Sequence, residues 1–126
     1  MKVTILPEIG GKVWGAVDKQ TGREFLYFNH TVKFRNIAMR GPWCSGGIEF
    51  NFGIMGHSPT TATAVGWCIM TNRDERVSCF VSATEYINRT TWQVEVRLPP
   101  DSDHFYTRTT WFNGSNLHQP YYQWMT

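Results

Sequence analysis

Along most of the chain, hydrophobic and polar positions alternate with a period of two, and helical spacing is almost absent. Val3, Ile5 and Leu6 lead into PEIGG, and KVWGAVD then sets Val13, Gly15 and Val17 against Trp14 and Ala16. A polar connection, Asp18-Lys-Gln-Thr-Gly22, separates this from REFLYFN. The pattern predicts two β-hairpins in series.

The second half repeats the rhythm with shorter punctuation. AVGWCIMT (64–71), RVSCFVSATEY (76–86), TWQVEVRL (91–98), HFYTRTTWF (104–112) and LHQPYYQWM (117–125) are separated by NRDE, INRT, PPDSD and NGSN. β-Branched and aromatic residues at alternate positions between polar turns predict an antiparallel meander. The chain reads as all-β, an antiparallel β-sandwich. In TWQVEVRL, Trp92, Val94 and Val96 fall on one face and Gln93, Glu95 and Arg97 on the other, which predicts one dry and one wet face.

Length changes the picture little. With 126 residues the chain is expected to form a single domain, 1–126, with no linker or second core. LHQPYYQWMT stops without a polar tail, so its last strand would present an open edge. The expectation is a front portion of a longer domain, partnered by the missing C-terminal part or by a second copy.

Charge excludes more. The net charge is +2 and the lysines and arginines are scattered, so no nucleic-acid footprint is expected. The longest uncharged stretch, 50–72, is broken by Gly, Pro, Ser, Thr and Asn, which rules out a spanning helix and implies no membrane partner. MKVTILPEIGGKV lacks a secretory apolar core, so the expected location is cytoplasmic. Cys44, Cys68 and Cys79 are odd in number and lack metal spacing, and the histidines are far apart, so neither a disulfide framework, a metal nor a cofactor is expected. Asn29, Asn88 and Asn113 each begin an N-x-S/T triplet, a pattern common by chance.

Candidate chemistry gathers in RGPWCSGGIEFNFGIMGHSPTTA (40–62). GGIEFNFG reads as a short strand with Ile48, Phe50 and Phe52 on one face and Glu49 and Asn51 on the other, the latter pair about 7 Å apart between Cα atoms. Gly46 and Gly47 permit close backbone approach or positive φ. The next turn delivers His57. Carboxylate, amide and imidazole together can bind vicinal hydroxyls, and Trp43 or Trp14 can offer a flat apolar platform. Arg40 can clamp an acidic group. On the last strand His118, Tyr121, Tyr122 and Trp124 can line a groove, with Tyr122 and Trp124 on the face of His118.

LPEIGGKVWGAVDKQTGREFLYFN, RGPWCSGGIEFNF, GHSPTT and LHQPYYQWM, in that order, resemble the bacterial family known as domain of unknown function 5107, of the galactose mutarotase-like superfamily. GGIEFNF followed by GH-x-PTT carries the resemblance most specifically; Gly53-Ile-Met55 stands where the family usually has a proline. The resemblance implies a large antiparallel supersandwich, longer than this chain, whose concave sheet face receives carbohydrate. Glu49, Asn51, His57, Trp43 and Arg40 would then contribute to sugar binding. The mutarotase base is a glutamate from late in that fold, so this chain alone is not expected to be catalytic, although its parent is a candidate epimerase or glycoside hydrolase-like enzyme. The alternative is a non-catalytic binding or scaffold β-module attached to helical repeats.

Overall fold

A computed structural model describes residues 1–37, 41–53, 56–57, 59–120 and 122–126. Its strands are β1 (Lys2–Leu6), β2 (Lys12–Val17), β3 (Phe34–Asn36), β4 (Pro42–Cys44), β5 (Phe50–Gly53), β6 (Gly66–Thr71), β7 (Val77–Glu85), β8 (Thr90–Leu98), β9 (Tyr106–Asn113) and β10 (Tyr122–Met125). All pairings between them are antiparallel. The chain is an all-β, sandwich-like fold without a closed barrel. Among the described residues no helix is long and apolar enough to cross a membrane.

One layer is the four-stranded meander β6-β7-β8-β9. The other is assembled from two pairs, β1-β2 and β5-β10. A bridge between Val13 and Ile48 joins them, with Ile48 N donating to Val13 O at 2.8 Å and Val13 N to Ile48 O at 3.2 Å. Strand alternation turns Val13, Phe50 and Phe52 inward, where they meet Val81, Trp92, Val94 and Val96 of the meander. Phe52 stacks on Trp92 with ring centroids 4.9 Å apart. This interior is what the dry face of TWQVEVRL packs against.

The opposite face of that strand is less wet than alternation predicts. Gln93 is exposed, but Glu95 is only 7% exposed. Its carboxylate accepts hydrogen bonds from Ser78 Oγ at 2.6 Å and from Arg97 Nε and Nη2 at 2.9 and 3.0 Å. A charge on a sheet face can be covered when its neighbours supply both donors and a counter-charge.

Two predicted strands come out differently. REFLYFN forms a single bridge, Val17 to Glu24, instead of a second hairpin strand. Phe25 and Tyr27 are exposed, while Leu26 packs against the core and Phe28 meets Trp14 edge-on at 6.5 Å between centroids. LHQPYYQWM does not extend the meander. Its end crosses to the other layer as β10 and pairs with β5, placing Trp124 opposite Asn51 and Tyr122 opposite Gly53.

The three N-x-S/T triplets have a common local cause. Asn29 Oδ1 accepts from Thr31 N, Asn88 Oδ1 from Thr90 N and Oγ1, and Asn113 Oδ1 from Ser115 N and Oγ. Each is an asparagine turn in which the side chain mimics a backbone carbonyl two residues on.

Candidate functional site

The site lies on the side of β2 and β5 that faces away from the meander. Opposite parity to Val13 and Phe50 puts Lys12 and Trp14 of β2 and Glu49 and Asn51 beside them on this side. Asn51 is paired with Trp124, so the indole of β10 shares the same face. The β3-β4 hairpin covers Lys12 and contributes Cys44 and Trp43.

Lys12 is only 2% exposed. Its ammonium donates to the carbonyl oxygen of Cys44 and, at 3.5 Å, to that of Gly46, and lies 3.5 Å from Glu49 Oε2. Two backbone carbonyls and a carboxylate counter-charge thus surround the ammonium, the condition under which a lysine can be withdrawn from water. The ammonium also sits 6.0 Å from the centroid of the Trp43 ring, within cation–π reach.

The carbonyls converge because of Gly46 and Gly47. Their φ values are 109° and 67°. A Cβ on Gly46 would lie 2.8 Å from Asn29 Cβ, and one on Gly47 would lie 2.2 Å from the carbonyl oxygen of Val13. Only a residue without a side chain lets the loop press this closely on β2.

Glu49 is 2% exposed and Asn51 is fully buried. Glu49 Oε1 accepts from Asn51 Nδ2 at 3.1 Å and pairs with His57 Nδ1 at 2.8 Å. Oε2 accepts no hydrogen bond among the described residues and meets only the more distant ammonium. His57 is the member that reaches the surface, its side chain 17% exposed. The ring is flanked edge-to-face by Trp43 at 6.0 Å and Trp124 at 5.1 Å between centroids, and Tyr122 lies 5.7 Å from Trp124.

Two further local features accompany this cluster. His57 has φ 52°, a left-handed backbone that costs an L-residue about 1–2 kcal/mol; such strain concentrates where a side chain must be aimed. The indole Nε1 of Trp124 is buried and has no hydrogen-bond partner among the described residues, an arrangement worth about 1–3 kcal/mol of lost solvation.

Of the residues singled out in the sequence, Glu49, Asn51, His57 and Trp43 are brought together. Glu49 and Asn51 lie beneath the surface, where they hold one another and His57. Trp14 is 5% exposed and packs on Phe28, so it offers no platform. Trp124 joins the cluster; Arg40 and Tyr121 lie outside the described residues. Lys12 escaped the sequence reading. Its signal was a charge between Gly-Gly and Val-Trp in an otherwise buried hairpin strand.

A concavity of about 600 Å³ lies elsewhere, between the turn after β2 and the turn after β8. Asp18, Glu75, Asp101 and Asp103 line it together with Lys19 and Met1, without an aromatic side chain for a sugar face. Among the described residues no three His, Cys, Asp or Glu side chains converge on a common point as a metal site needs. Cys44, Cys68 and Cys79 are all free thiols, and burial pushes that of Cys79 up from its ordinary range.

Residues 1–126 match the sequence profile of the family described as Domain of unknown function (DUF5107). The chain belongs to that family. This DUF5107 chain is also similar to part of a solved structure, a TPR-domain containing protein from Parabacteroides distasonis ATCC 8503, at 29% identity with a TM-score of 0.78. The match covers 86% of this chain and 19% of the other, so the DUF5107 chain corresponds to a minor part of that protein.

Proposed function

We propose that this chain is the carbohydrate-binding portion of a galactose mutarotase-like protein, with His57, Trp43 and Trp124 as the surface that meets the sugar. The observation carrying this reading is the anchoring of His57. Its Nδ1 is held by a buried carboxylate, its ring is clamped between two indoles, and its Nε2 makes no hydrogen bond among the described residues. A sugar needs this combination: an apolar edge or face for its C–H groups and an aimed polar atom for a hydroxyl. Glu49, Asn51 and Lys12 act through His57, as the buried support that fixes its direction.

Catalysis by these residues alone is not part of the proposal. Hydrolysis by the common route uses two opposed carboxyl groups, whereas among the described residues Glu49 is the one carboxylate against His57, and it is committed to Lys12 and Asn51. A second reading draws on the TPR-domain containing relative. In it, the β-domain is a non-catalytic binding or scaffold module joined to helical repeats, and the same aromatic surface receives the ligand.

Equilibrium titration with a panel of mono- and oligosaccharides tests the proposal, comparing the wild type with His57→Ala and Trp124→Ala. Binding that falls at least about tenfold in both variants supports it, since each removes a central contact. Affinity unchanged in both would contradict it.

A further inference from the structure

We infer that the buried Lys12–Glu49 pair sets the tautomer of His57, and thereby makes the site selective for a hydroxyl donor: a neutral sugar in preference to the corresponding uronic acid. The ligand class rests on the carbohydrate reading above; the tautomer does not.

The Lys12 ammonium, 2% exposed, requires a counter-charge, and the nearest is Glu49 Oε2 at 3.5 Å, which keeps Glu49 ionised. An ionised carboxylate only accepts hydrogen bonds. At the 2.8 Å contact with Glu49 Oε1, His57 Nδ1 must therefore carry the proton. In the neutral ring the other nitrogen, Nε2, is left with a lone pair and no proton.

The consequence falls on the ligand. With the ring neutral, Nε2 accepts from a sugar hydroxyl, whereas a carboxylate placed against it finds no donor on the imidazole and meets the lone pair with its own. Among the described residues the charges do not favour an anion either: Lys12 and Glu49 offset one another beneath the surface, and the ammonium is held by the carbonyls of Cys44 and Gly46 beside Glu49. Trp43 and Trp124 on either side present apolar edges and no second charge. Lys12 is thus a positioning residue, acting on the ligand through Glu49 and His57.

The test is nuclear magnetic resonance of the nitrogen-15-labelled full chain, read through long-range proton–nitrogen correlations of the His57 ring with the imidazole neutral. The expected spectrum shows Nδ1–H and an unprotonated Nε2, the minority tautomer of free histidine. Lys12→Met/Glu49→Gln, which replaces the acceptor-only carboxylate with an amide that can also donate to Nδ1, should let the ring move towards Nε2–H. If that variant does not fold, the wild-type spectrum alone decides, because an Nε2–H tautomer there would overturn the inference.

Titration of the same chain with a neutral methyl hexoside and the matching hexuronate adds the selectivity. The neutral sugar should bind about tenfold more tightly, as expected when one partner leaves a polar contact unmade. Equal or tighter binding of the hexuronate to a chain with Nδ1–H would overturn the selectivity. An Nδ1–H spectrum with neither sugar bound would leave the tautomer standing and remove the carbohydrate reading.

Discussion

Lys12 and Glu49 form an ion pair whose side chains are only 2% and 3% exposed, with Nζ 3.5 Å from Oε2. Neither residue can be removed alone without stranding its partner. Lys12→Met and Glu49→Gln should each destabilise the fold, the former by about 3–5 kcal/mol, because an uncompensated buried charge is the dominant penalty. The double variant Lys12→Met/Glu49→Gln should be more stable than Lys12→Met. Denaturant midpoints of the four proteins check this, and simple additivity of the two losses would contradict the pair.

Gly47 offers a purely steric prediction. A methyl group there would overlap the Val13 carbonyl oxygen and would also sit on a backbone of φ 67°. Gly47→Ala should cost at least about 2 kcal/mol. Gly22 has a similar φ, 71°, but nothing within 4 Å of its would-be Cβ, so Gly22→Ala should cost only about 1 kcal/mol. Thermal or urea unfolding of the two variants separates clash from backbone strain.

Glu95 makes stability depend on pH in a defined direction. Hydrogen bonds from Arg97, then from Ser78, hold its carboxyl below the ordinary glutamate range, against the opposing effect of its burial. A depressed folded value means that the stabilisation is fully present above the unfolded value and is lost as pH falls through the folded one. The wild type should therefore exceed Glu95→Gln in stability at neutral pH. That gap should narrow as pH drops through and below the ordinary carboxylate range. A gap independent of pH would show that Glu95 contributes no titrating interaction.

What could be read in the sequence was whatever depends on neighbours a few residues away. The period-two pattern of residues 76–98 set β7 and β8, and the alternation of Ile48 to Phe52 put Glu49 and Asn51 on a face of their own. Gly46 and Gly47 announced a tight approach. The unread part was non-local. Nothing near Trp124 signals that it will lie opposite Asn51, because that pairing joins segments more than seventy residues apart and depends on β10 leaving the meander. Lys12 was missed for the same reason: its partners are the carbonyls of Cys44 and Gly46 and the carboxylate of Glu49, so its burial is invisible from KVWGAV alone. REFLYFN has strand-like composition, but only Leu26 and Phe28 on one side find packing partners in the core and at Trp14, while Phe25 and Tyr27 are exposed.

The most direct test of the carbohydrate account is a proton–nitrogen correlation spectrum of the six tryptophan indoles during titration with neutral sugars. Trp43 and Trp124 flank His57, whereas Trp67 on β6 and Trp111 on β9 belong to the other layer. The account predicts saturable shifts of the Trp43 and Trp124 indole signals, abolished by His57→Ala, with Trp67 and Trp111 unmoved. Sugar-dependent shifts confined to Trp67 or Trp111, or no shift of any indole across the panel, would contradict it.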